Sequence, residues 1–231
     1  CRDYDLSRFS GAAVPITSGL GIIGGFAKSV DAILDRLGMR SRVTSSTDVT
    51  GFREAVESGA DIVMMSDDPT FVAYNTRENK FTDNSWGTAM GYAVCLKNAA
   101  NGVGGKDVLV VGAGRVGAWA AEILAGWGAE VKVTDIVFER AEALASVGAT
   151  PLKNVEKAIS ENTLVINAAP YIIPGEIIAP GSIISSPGVP HYYDLEGRTR
   201  CKAIIHDPLE IGTAVMAVNS AAYTIKKEEQ A

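Results

Sequence analysis

Short apolar runs alternate with amphipathic segments along the first hundred residues of this 231-residue chain. The apolar runs predict three strands, at residues 12–16, 39–44 and 61–65. The segments between them predict two helices, one from about residue 22 to 37 and a shorter one over 52–57, each followed by a glycine that ends it. Strands and helices that alternate in this way predict a parallel sheet with right-handed crossovers.

Two further segments complete the first half. The polar stretch over residues 70–84 predicts turns rather than a strand or a helix. The next segment predicts a helix over 86–98, with Met90, Ala93 and Val94 in its buried stripe.

A glycine-rich run over residues 101–105 separates the two halves. It predicts a smaller N-terminal parallel α/β domain over residues 1–102 and a C-terminal Rossmann domain over 103–231. Beyond residue 135 the apolar pattern predicts helices and strands in alternation, namely helices at 139–146, 155–160 and 212–226 and strands at 163–167, 182–185 and 203–206. The last of these helices could pack back on the first domain.

The segment from Val108 to Asp135 carries the strongest functional signal. An apolar run enters a turn whose glycines, Gly112, Gly114 and Gly117, have G-x-G-x-x-G spacing, and an Ala-rich helix and a second apolar run follow. In such a unit the first glycine permits the tight turn, the second admits the pyrophosphate, and the third lets the helix pack on the strand. The free N–H groups of the helix N-terminus then face the phosphates. The segment predicts a bound dinucleotide; a doubly wound sheet that merely keeps a tight turn is the plainer alternative.

Asp135 ends the second apolar run and bears on which dinucleotide is bound. A carboxylate at that position accepts both hydroxyls of the adenosine ribose and repels a 2′-phosphate. The nearest basic residue that follows is Arg140, on a predicted helix. The sequence therefore favours NAD over NADP, while FAD proteins that share the fingerprint usually need a longer chain.

Composition narrows the classes of molecule that the protein is expected to bind. The net charge of −6 argues against nucleic acid and suits a small cationic molecule. No apolar run reaches the roughly 18 residues of a membrane span. The three scattered cysteines predict reduced thiols in a cytoplasmic protein, and neither they nor the two histidines have metal-ligand spacing.

Ligands of parallel sheets bind beyond the carboxyl ends of the strands, which selects a few loops. In the first half these loops carry Ser18, Asp67 and Asp68. Only one of the two adjacent carboxylates is expected to face the ligand, where it could hold an ammonium group and later accept its proton. Formation of a turn is the plainer role for Asp67, and capping of a helix for Ser18.

The second half offers few groups that could transfer a proton. His206 ends a predicted strand near the cofactor, where a buried structural histidine is the commoner case, and His191 is expected in an exposed loop. Oxidation of a hydroxyl usually needs a His, Lys or Tyr. Oxidation of an amine depends less on such a proton-transfer group, because the nitrogen lone pair drives hydride departure. We expect the nicotinamide to lie between the two halves, facing Ser18 and Asp67.

Several long motifs resemble the pyrrolysine-forming dehydrogenase family, PylD. They are VPITSGLGIIGGF (14–26), VTSSTDVTG (43–51), GADIVMMSDDPTFVAYN (59–75), SSPGVP (185–190) and IHDPLEIGTAVMAV (205–218). The resemblance implies NAD-dependent oxidation of the terminal amine of 3-methylornithyl-N6-lysine, with loss of ammonia and closure of the pyrroline ring, and it implies a homodimer. It implies substrate contacts for Ser18 and Asp67. We expect Asp67 to be the catalytic residue and Asp68 to be a further candidate for substrate binding. The expected cofactor contacts are Gly112, Gly114, Arg115, Val116, Gly117, Asp135, Ala168, Pro187, Gly188 and His206.

Two other functions stay open at this point. One is a similar dehydrogenase that acts on another small amino or hydroxy acid. The other is a non-catalytic module that senses NAD.

Overall fold

The computed structural model describes residues 4–18 and 24–230. By their contacts the residues form two compact units. The first unit runs up to Gly87 and resumes at Gly212, and the second unit is the continuous stretch Thr88–Ile211. Among the described helices none is long and apolar enough to cross a membrane.

The first unit is built on a five-stranded sheet of order β2-β1-β3-β4-β5. Its strands are β1 (Ser10–Val14), β2 (Arg40–Val43), β3 (Ile62–Ser66), β4 (Phe71–Asn75) and β5 (Lys80–Asp83). Strand β1 pairs in parallel with both β2 and β3, as the alternating pattern predicted. Helices α1 (Phe26–Arg36) and α2 (Asp48–Glu57) provide the crossovers, and Ala12, Val14, Ala55 and Val63 lie in the core beside α2.

Helix boundaries in this unit differ from the predicted ones. The predicted start near residue 22 lies outside the described residues, and the described helix α1 begins at Phe26. Helix α2 begins four positions before the predicted residue 52, at Asp48. The glycines that were expected to follow the helices, Gly38 and Gly59, both have the positive φ of a helix terminator, 87° and 77°.

The polar stretch over residues 70–84 was wrongly predicted to hold only turns. Strand β4 runs antiparallel to β3, and β5 runs antiparallel to β4. The sequence of β4 alternates between buried and partly exposed positions, and one of the buried residues is Asn75. A buried polar residue is tolerated because its hydrogen bonds are satisfied.

The partners of Asn75 come from the C-terminal helix α8 (Glu210–Glu228). The Asn75 amide donates to the Ser220 carbonyl at 2.7 Å and to the Thr224 hydroxyl at 2.9 Å. The Thr82 and Ser220 hydroxyls share a hydrogen bond of 3.1 Å. Helix α8 therefore packs on β4 and β5 and completes the first unit.

The second unit has a six-stranded, wholly parallel sheet of order β11-β10-β9-β6-β7-β8. Its strands are β6 (Asp107–Val111), β7 (Glu130–Thr134), β8 (Thr150–Leu152), β9 (Leu164–Asn167), β10 (Ser182–Ser185) and β11 (Cys201–Ile205). Its helices are α4 (Arg115–Gly126), α5 (Phe138–Ala143), α6 (Val155–Glu161) and α7 (Leu195–Arg200), with short 3-10 turns at Leu144–Val147 and Gly175–Ile177. Counted from β6, the strand order is 3-2-1-4-5-6, the doubly wound order of dinucleotide-binding sheets. The predicted Rossmann fold is confirmed; the short elements β8 and α7 were missed.

Helix α3 (Asn84–Ala99) was predicted, but its buried stripe was assigned only partly correctly. Ala93 is buried as predicted, whereas Met90 is half-buried and Val94 is exposed; the other buried hydrophobic residues of the helix are Ala89, Tyr92 and Leu96. Ala89, Ala93 and Leu96 pack in the core of the second unit with strand β6. For this reason the contacts divide the chain at residue 87, within α3, and not after residue 102 where the sequence led us to place a boundary.

Candidate functional site: a glycine turn and an acidic pocket

The turn between β6 and α4 requires glycine at two positions. Gly112 has φ of 93°, and a Cβ there would lie 2.9 Å from the backbone nitrogen of Ala169. A Cβ at Gly117 would lie 2.9 Å from the carbonyl carbon of Gly112 and closer still to its oxygen. Helix α4 therefore packs against the turn too closely for any side chain at residue 117.

Gly114 differs because a Cβ there would meet no atom within 4 Å. It is the N-cap of α4, and no side chain caps this helix end. Open space in front of uncapped helix N–H groups fits the pyrophosphate of a dinucleotide. Arg115, Val116 and Gly117 form the first turn of the helix, as the fingerprint predicted. The residues present thus fit the cofactor that their spacing indicates.

Asp135 follows strand β7 and holds the turn in place. Its carboxylate accepts the Ala113 N–H at 2.7 Å through Oδ2 and the Val137 N–H at 2.8 Å through Oδ1. Each oxygen keeps a further lone pair for a ribose hydroxyl. The next residue, Ile136, is 90% exposed, and Val137 after it is also apolar. No basic side chain follows Asp135 directly.

The other predicted cofactor residues also lie at carboxyl ends of strands. Ala168 follows β9, beside β6, and its N–H donates to the Val111 carbonyl at 2.8 Å. Pro187 and Gly188 follow β10, and the Gly188 N–H donates to the Asn167 carbonyl at 3.0 Å. The sheet therefore gathers these loops at the position where its strand order reverses, next to the glycine turn.

His206 follows β11 and has its ring orientation fixed. Its Nδ1 lies 2.7 Å from the Ser186 carbonyl, which can only accept, so Nδ1 is the donor of this hydrogen bond. The His191 ring stacks on it with centroids 3.6 Å apart. His191 was expected in an exposed loop, which is wrong because it is partly buried in this stack. Burial, followed by the charges of His206 and Arg198, lowers the pKa of His191.

The first unit has an open cavity of about 670 Å³ at the carboxyl ends of β1 and β3. These strands are parallel neighbours, with Val14 opposite Met65, so the loops that follow them meet. Ser18 lies after β1, Asp67 lies after β3, and both line the cavity. Most of the other lining residues are apolar: Ile16, Val49, Phe52, Met65, Val72 and Phe81. The cavity therefore combines an apolar wall with a carboxylate and a hydroxyl.

Asp67 also makes the turn that was considered as its plainer role. Its Oδ1 accepts the Thr70 N–H at 2.8 Å, and its own N–H donates to the Thr70 carbonyl at 3.0 Å. Among the described residues nothing donates to the second oxygen, Oδ2. The turn thus orients the carboxylate while one oxygen keeps its full capacity to accept. Asp68, the adjacent residue, does not line the cavity.

Sequence reasoning missed Asp48, which lines the same cavity. The Thr17 N–H donates to its Oδ1 at 2.7 Å, and the Thr47 hydroxyl donates to its Oδ2 at 2.8 Å. The hydrogen bonds from Thr17, hydroxyl first, hold the pKa of Asp48 below its ordinary value. The only signal in the sequence was its place within the resemblance motif at residues 43–51, which assigned it no task.

Across the described ranges, no group of three or more His, Cys, Asp or Glu side chains is arranged to hold a metal ion.

Comparisons with known proteins agree with this division of the chain. Residues 3–82 match the family described as pyrrolysine biosynthesis protein PylD, N-terminal domain. Residues 84–184 match the family described as alanine dehydrogenase/PNT, C-terminal domain.

Solved structures support the fold. Quinate dehydrogenase from Corynebacterium glutamicum, in complex with NAD, has a TM-score of 0.60, 18% identity and coverage of 92% of both chains. Shikimate 5-dehydrogenase from Thermus thermophilus, in complex with NADP(H) and shikimate, has a TM-score of 0.62 and 16% identity, covering 93% of this chain and 92% of that one.

A curated relative is much closer in sequence. The pyrrolysine synthase of Methanosarcina barkeri is 36% identical over 213 residues, which are 88% of this chain and 78% of that protein. Identity at this level extends through both units. The chain therefore belongs to the pyrrolysine synthase family, PylD.

Proposed function

We propose that the protein oxidises the terminal amine of 3-methylornithyl-N6-lysine with NAD, and that loss of ammonia and ring closure then give pyrrolysine. The observation that carries the proposal is the cavity that places Ser18 and Asp67 on one mostly apolar surface. An apolar wall suits the alkyl and methyl-bearing part of such a substrate. A carboxylate suits its ammonium group.

The residues of the cavity can manage the proton that this reaction releases. Asp67 would bind the terminal ammonium group through Oδ2 and accept its proton. The lone pair of the neutral nitrogen then drives hydride loss from the adjacent carbon, and bound NAD supplies the chemistry of hydride acceptance. The neighbouring α-amine of the substrate attacks the resulting iminium carbon, ammonia leaves, and a C=N bond closes the ring. The sum is substrate and NAD⁺ converted to pyrrolysine, ammonium, NADH and one proton.

The set of ionisable groups favours an amine over an alcohol as the oxidised group. Of the described residues that line the cavity, Asp48 and Asp67 are ionisable, and none is a His, Lys or Tyr. Oxidation of a hydroxyl usually uses one of those three as the proton acceptor. The Asp67 carboxylate, whose Oδ2 accepts nothing from the described residues, instead matches a substrate that carries a cationic amine.

The surroundings of Asp135 favour NAD over NADP. A 2′-phosphate at the ribose would lie beside this carboxylate, and the two residues that follow, Ile136 and Val137, bear no charge to compensate. Repulsion between the two anions would weaken NADP binding. This assignment rests on charge and position alone.

A turnover assay tests the proposal. The protein, NAD and 3-methylornithyl-N6-lysine should give growing absorbance of NADH and a product lighter by one ammonia and two hydrogens. Tight NAD binding without turnover would favour the sensor instead. Turnover only with another amino or hydroxy acid would favour the related dehydrogenase.

Asp67→Asn tests the assigned carboxylate. The amide oxygen of Asn can still accept the Thr70 N–H, so the turn is retained, but the negative charge is lost. We expect kcat to fall by roughly 10²- to 10⁴-fold while the Kd for NAD stays unchanged. Asp83→Asn is the matched control, because Asp83 also accepts a backbone N–H, from Ser85 at 2.7 Å, and does not line the cavity. Equal activity of Asp67→Asn and the control would remove Asp67 from the mechanism.

A further inference from the structure

The cavity of the first unit has a second carboxylate that the proposed reaction does not use. We propose that Asp48 is a positioning residue, which clamps the segment after β1 so that Ser18 stays on the cavity surface with Asp67. The inference rests on the proposed function for its effect on turnover. The clamp itself can be observed without any turnover.

Asp48 contacts that segment through both its backbone and its side chain. Its N–H donates to the Pro15 carbonyl at 2.9 Å. Its Oδ1 accepts the Thr17 N–H at 2.7 Å, and its Oδ2 accepts the Thr17 hydroxyl at 2.5 Å. Three hydrogen bonds therefore hold the two residues that flank Ile16, and Ser18 is the next residue along the chain.

The backbone of Asp48 has the positive φ of 53°. Only three of the described non-glycine residues have positive φ, and the other two are Asn79 and Asn101. Asp tolerates the left-handed region better than most residues, and residues held there often lie at functional sites. This conformation lets the N–H and the carboxylate of one residue reach the same segment.

Asp48 also joins that segment to another part of the cavity. It is the first residue of α2, and Val49 and Phe52 of the same helix line the cavity. Val49 is 82% exposed, so the first turn of the helix presents an apolar surface to the solvent and to any bound molecule. The clamp thus fixes the polar loop that carries Ser18 relative to the apolar wall formed by α2.

Most acceptor positions of the Asp48 carboxylate are used by these hydrogen bonds. Oδ2 accepts from both Thr17 and Thr47, and Oδ1 accepts the Thr17 N–H. A carboxylate has about four acceptor positions, so one is left for a substrate. Asp67, with one oxygen that accepts nothing from the described residues, is better placed to bind an ammonium group. For this reason we assign Asp48 to positioning and Asp67 to substrate.

The test combines Asp48→Asn with Thr17→Val in a double-mutant cycle. Asn tolerates positive φ but replaces one acceptor oxygen by an NH₂ group, and Val removes the hydroxyl donor while it keeps the backbone N–H. We expect each single variant to raise KM for the substrate, by roughly ten- to hundredfold, more than it lowers kcat, with the Kd for NAD unchanged. The double variant should be little worse than either single one, because both changes remove the same hydrogen bond.

Amide hydrogen exchange provides a readout that does not depend on turnover. The Thr17 N–H is bonded to Asp48 Oδ1, so its exchange should accelerate in Asp48→Gly, which tolerates the positive φ and removes both acceptor oxygens. The matched control is Asp5→Gly, because Asp5 accepts the N–H and the hydroxyl of Ser7 and does not line the cavity. That control should change neither KM nor exchange at Thr17.

The outcomes separate the two proposals. Unchanged exchange at Thr17 in Asp48→Gly, or an unchanged KM in an active Asp48→Asn enzyme, overturns the positioning role. Equal losses in KM, NAD affinity and melting temperature would show a general loss of structure and would also overturn it. Faster exchange at Thr17 in a protein that does not turn over the substrate would keep the clamp and reject the proposed function.

Discussion

Alanine substitutions at the glycines of the β6–α4 turn should separate effects on folding from effects on cofactor binding. Gly117→Ala places a Cβ 2.9 Å from the Gly112 carbonyl carbon, closer than real Cβ contacts allow. The Cβ of Gly114→Ala meets no atom of the described residues within 4 Å, so it enters open space that a ligand could fill. Gly126→Ala, at the end of the same helix, also meets no atom within 4 Å and is the matched control.

The expected magnitudes follow from these contacts. Overpacking of a rigid site costs about 1–3 kcal/mol and occasionally more, and in Gly117→Ala the atom that must move is backbone, so we expect about 3 kcal/mol. Such a loss lowers the melting temperature by roughly 6–12 °C for a chain of this size. Gly114→Ala should cost only about 0.5 kcal/mol as a changed N-cap. Gly126→Ala should stabilise by up to about 1 kcal/mol, because alanine is the better helix former.

The three variants should rank differently in NAD affinity than in stability. Loss of about 3 kcal/mol of contacts to the pyrophosphate corresponds to a Kd raised roughly 100-fold, and we expect this for both Gly114→Ala and Gly117→Ala. Gly126→Ala should bind NAD as the unchanged protein does. Differential scanning fluorimetry measures the melting temperatures, and isothermal titration calorimetry measures the Kd for NAD.

Gly114→Ala decides the question, because it changes the ligand space with little effect on the fold. If this variant binds NAD as tightly as the unchanged protein, the turn does not hold the pyrophosphate. The glycine spacing would then reflect helix packing alone. If Gly117→Ala melts at the unchanged temperature, the close packing inferred for α4 is wrong.

Two further predictions concern Asp135 and His191. Asp135→Ala should raise the Kd for NAD by about tenfold, because the variant loses hydrogen bonds to the ribose. It should also bind NAD and NADP with more similar Kd values, because the carboxylate that repels a 2′-phosphate is gone. An unchanged ratio of the two Kd values, measured by calorimetry, would contradict the role of Asp135 in ribose recognition. His191 has a folded-state pKa below its ordinary 6.5, chiefly through burial, so the unfolded chain binds more protons as the pH falls. The free energy of unfolding should therefore decline below about pH 6.5, and His191→Phe should flatten that decline in urea titrations; the same slope in both proteins would refute the effect.

The sequence predicted best those features whose causes are local. The glycine turn, the alternating elements of the second unit and the strand order they imply all follow from patterns within about thirty residues. Ser18 and Asp67 were predicted for the same reason, since each lies in the loop after a parallel strand. The cavity that they share with apolar residues of α2 follows from strand pairing, which the sequence indicated only in outline.

The features that were missed depend on distant parts of the chain. Asn75 was predicted to lie in a turn because its hydrogen-bond partners, Ser220 and Thr224, are 145 and 149 residues away in the sequence. Asp48 was assigned no role because its hydrogen-bond partner Thr17 lies 31 residues before it. Periodicity also did not determine which face of α3 is buried, since its small residues fit several possible buried faces. Val94 was therefore placed on the buried face although it is exposed.

The return of helix α8 to β4 and β5 has a consequence for synthesis in the cell. The second unit leaves the ribosome as one continuous stretch, whereas the first unit waits for helix α8, which is made after the second unit. Asn75 emerges 149 residues before Thr224, and at 5–20 residues per second this delay is about 7–30 s. During that interval β4 and β5 lack the helix that covers them and are open to wrong pairing. Of the two units, the one whose strands are translated first is therefore the one whose residues are complete last.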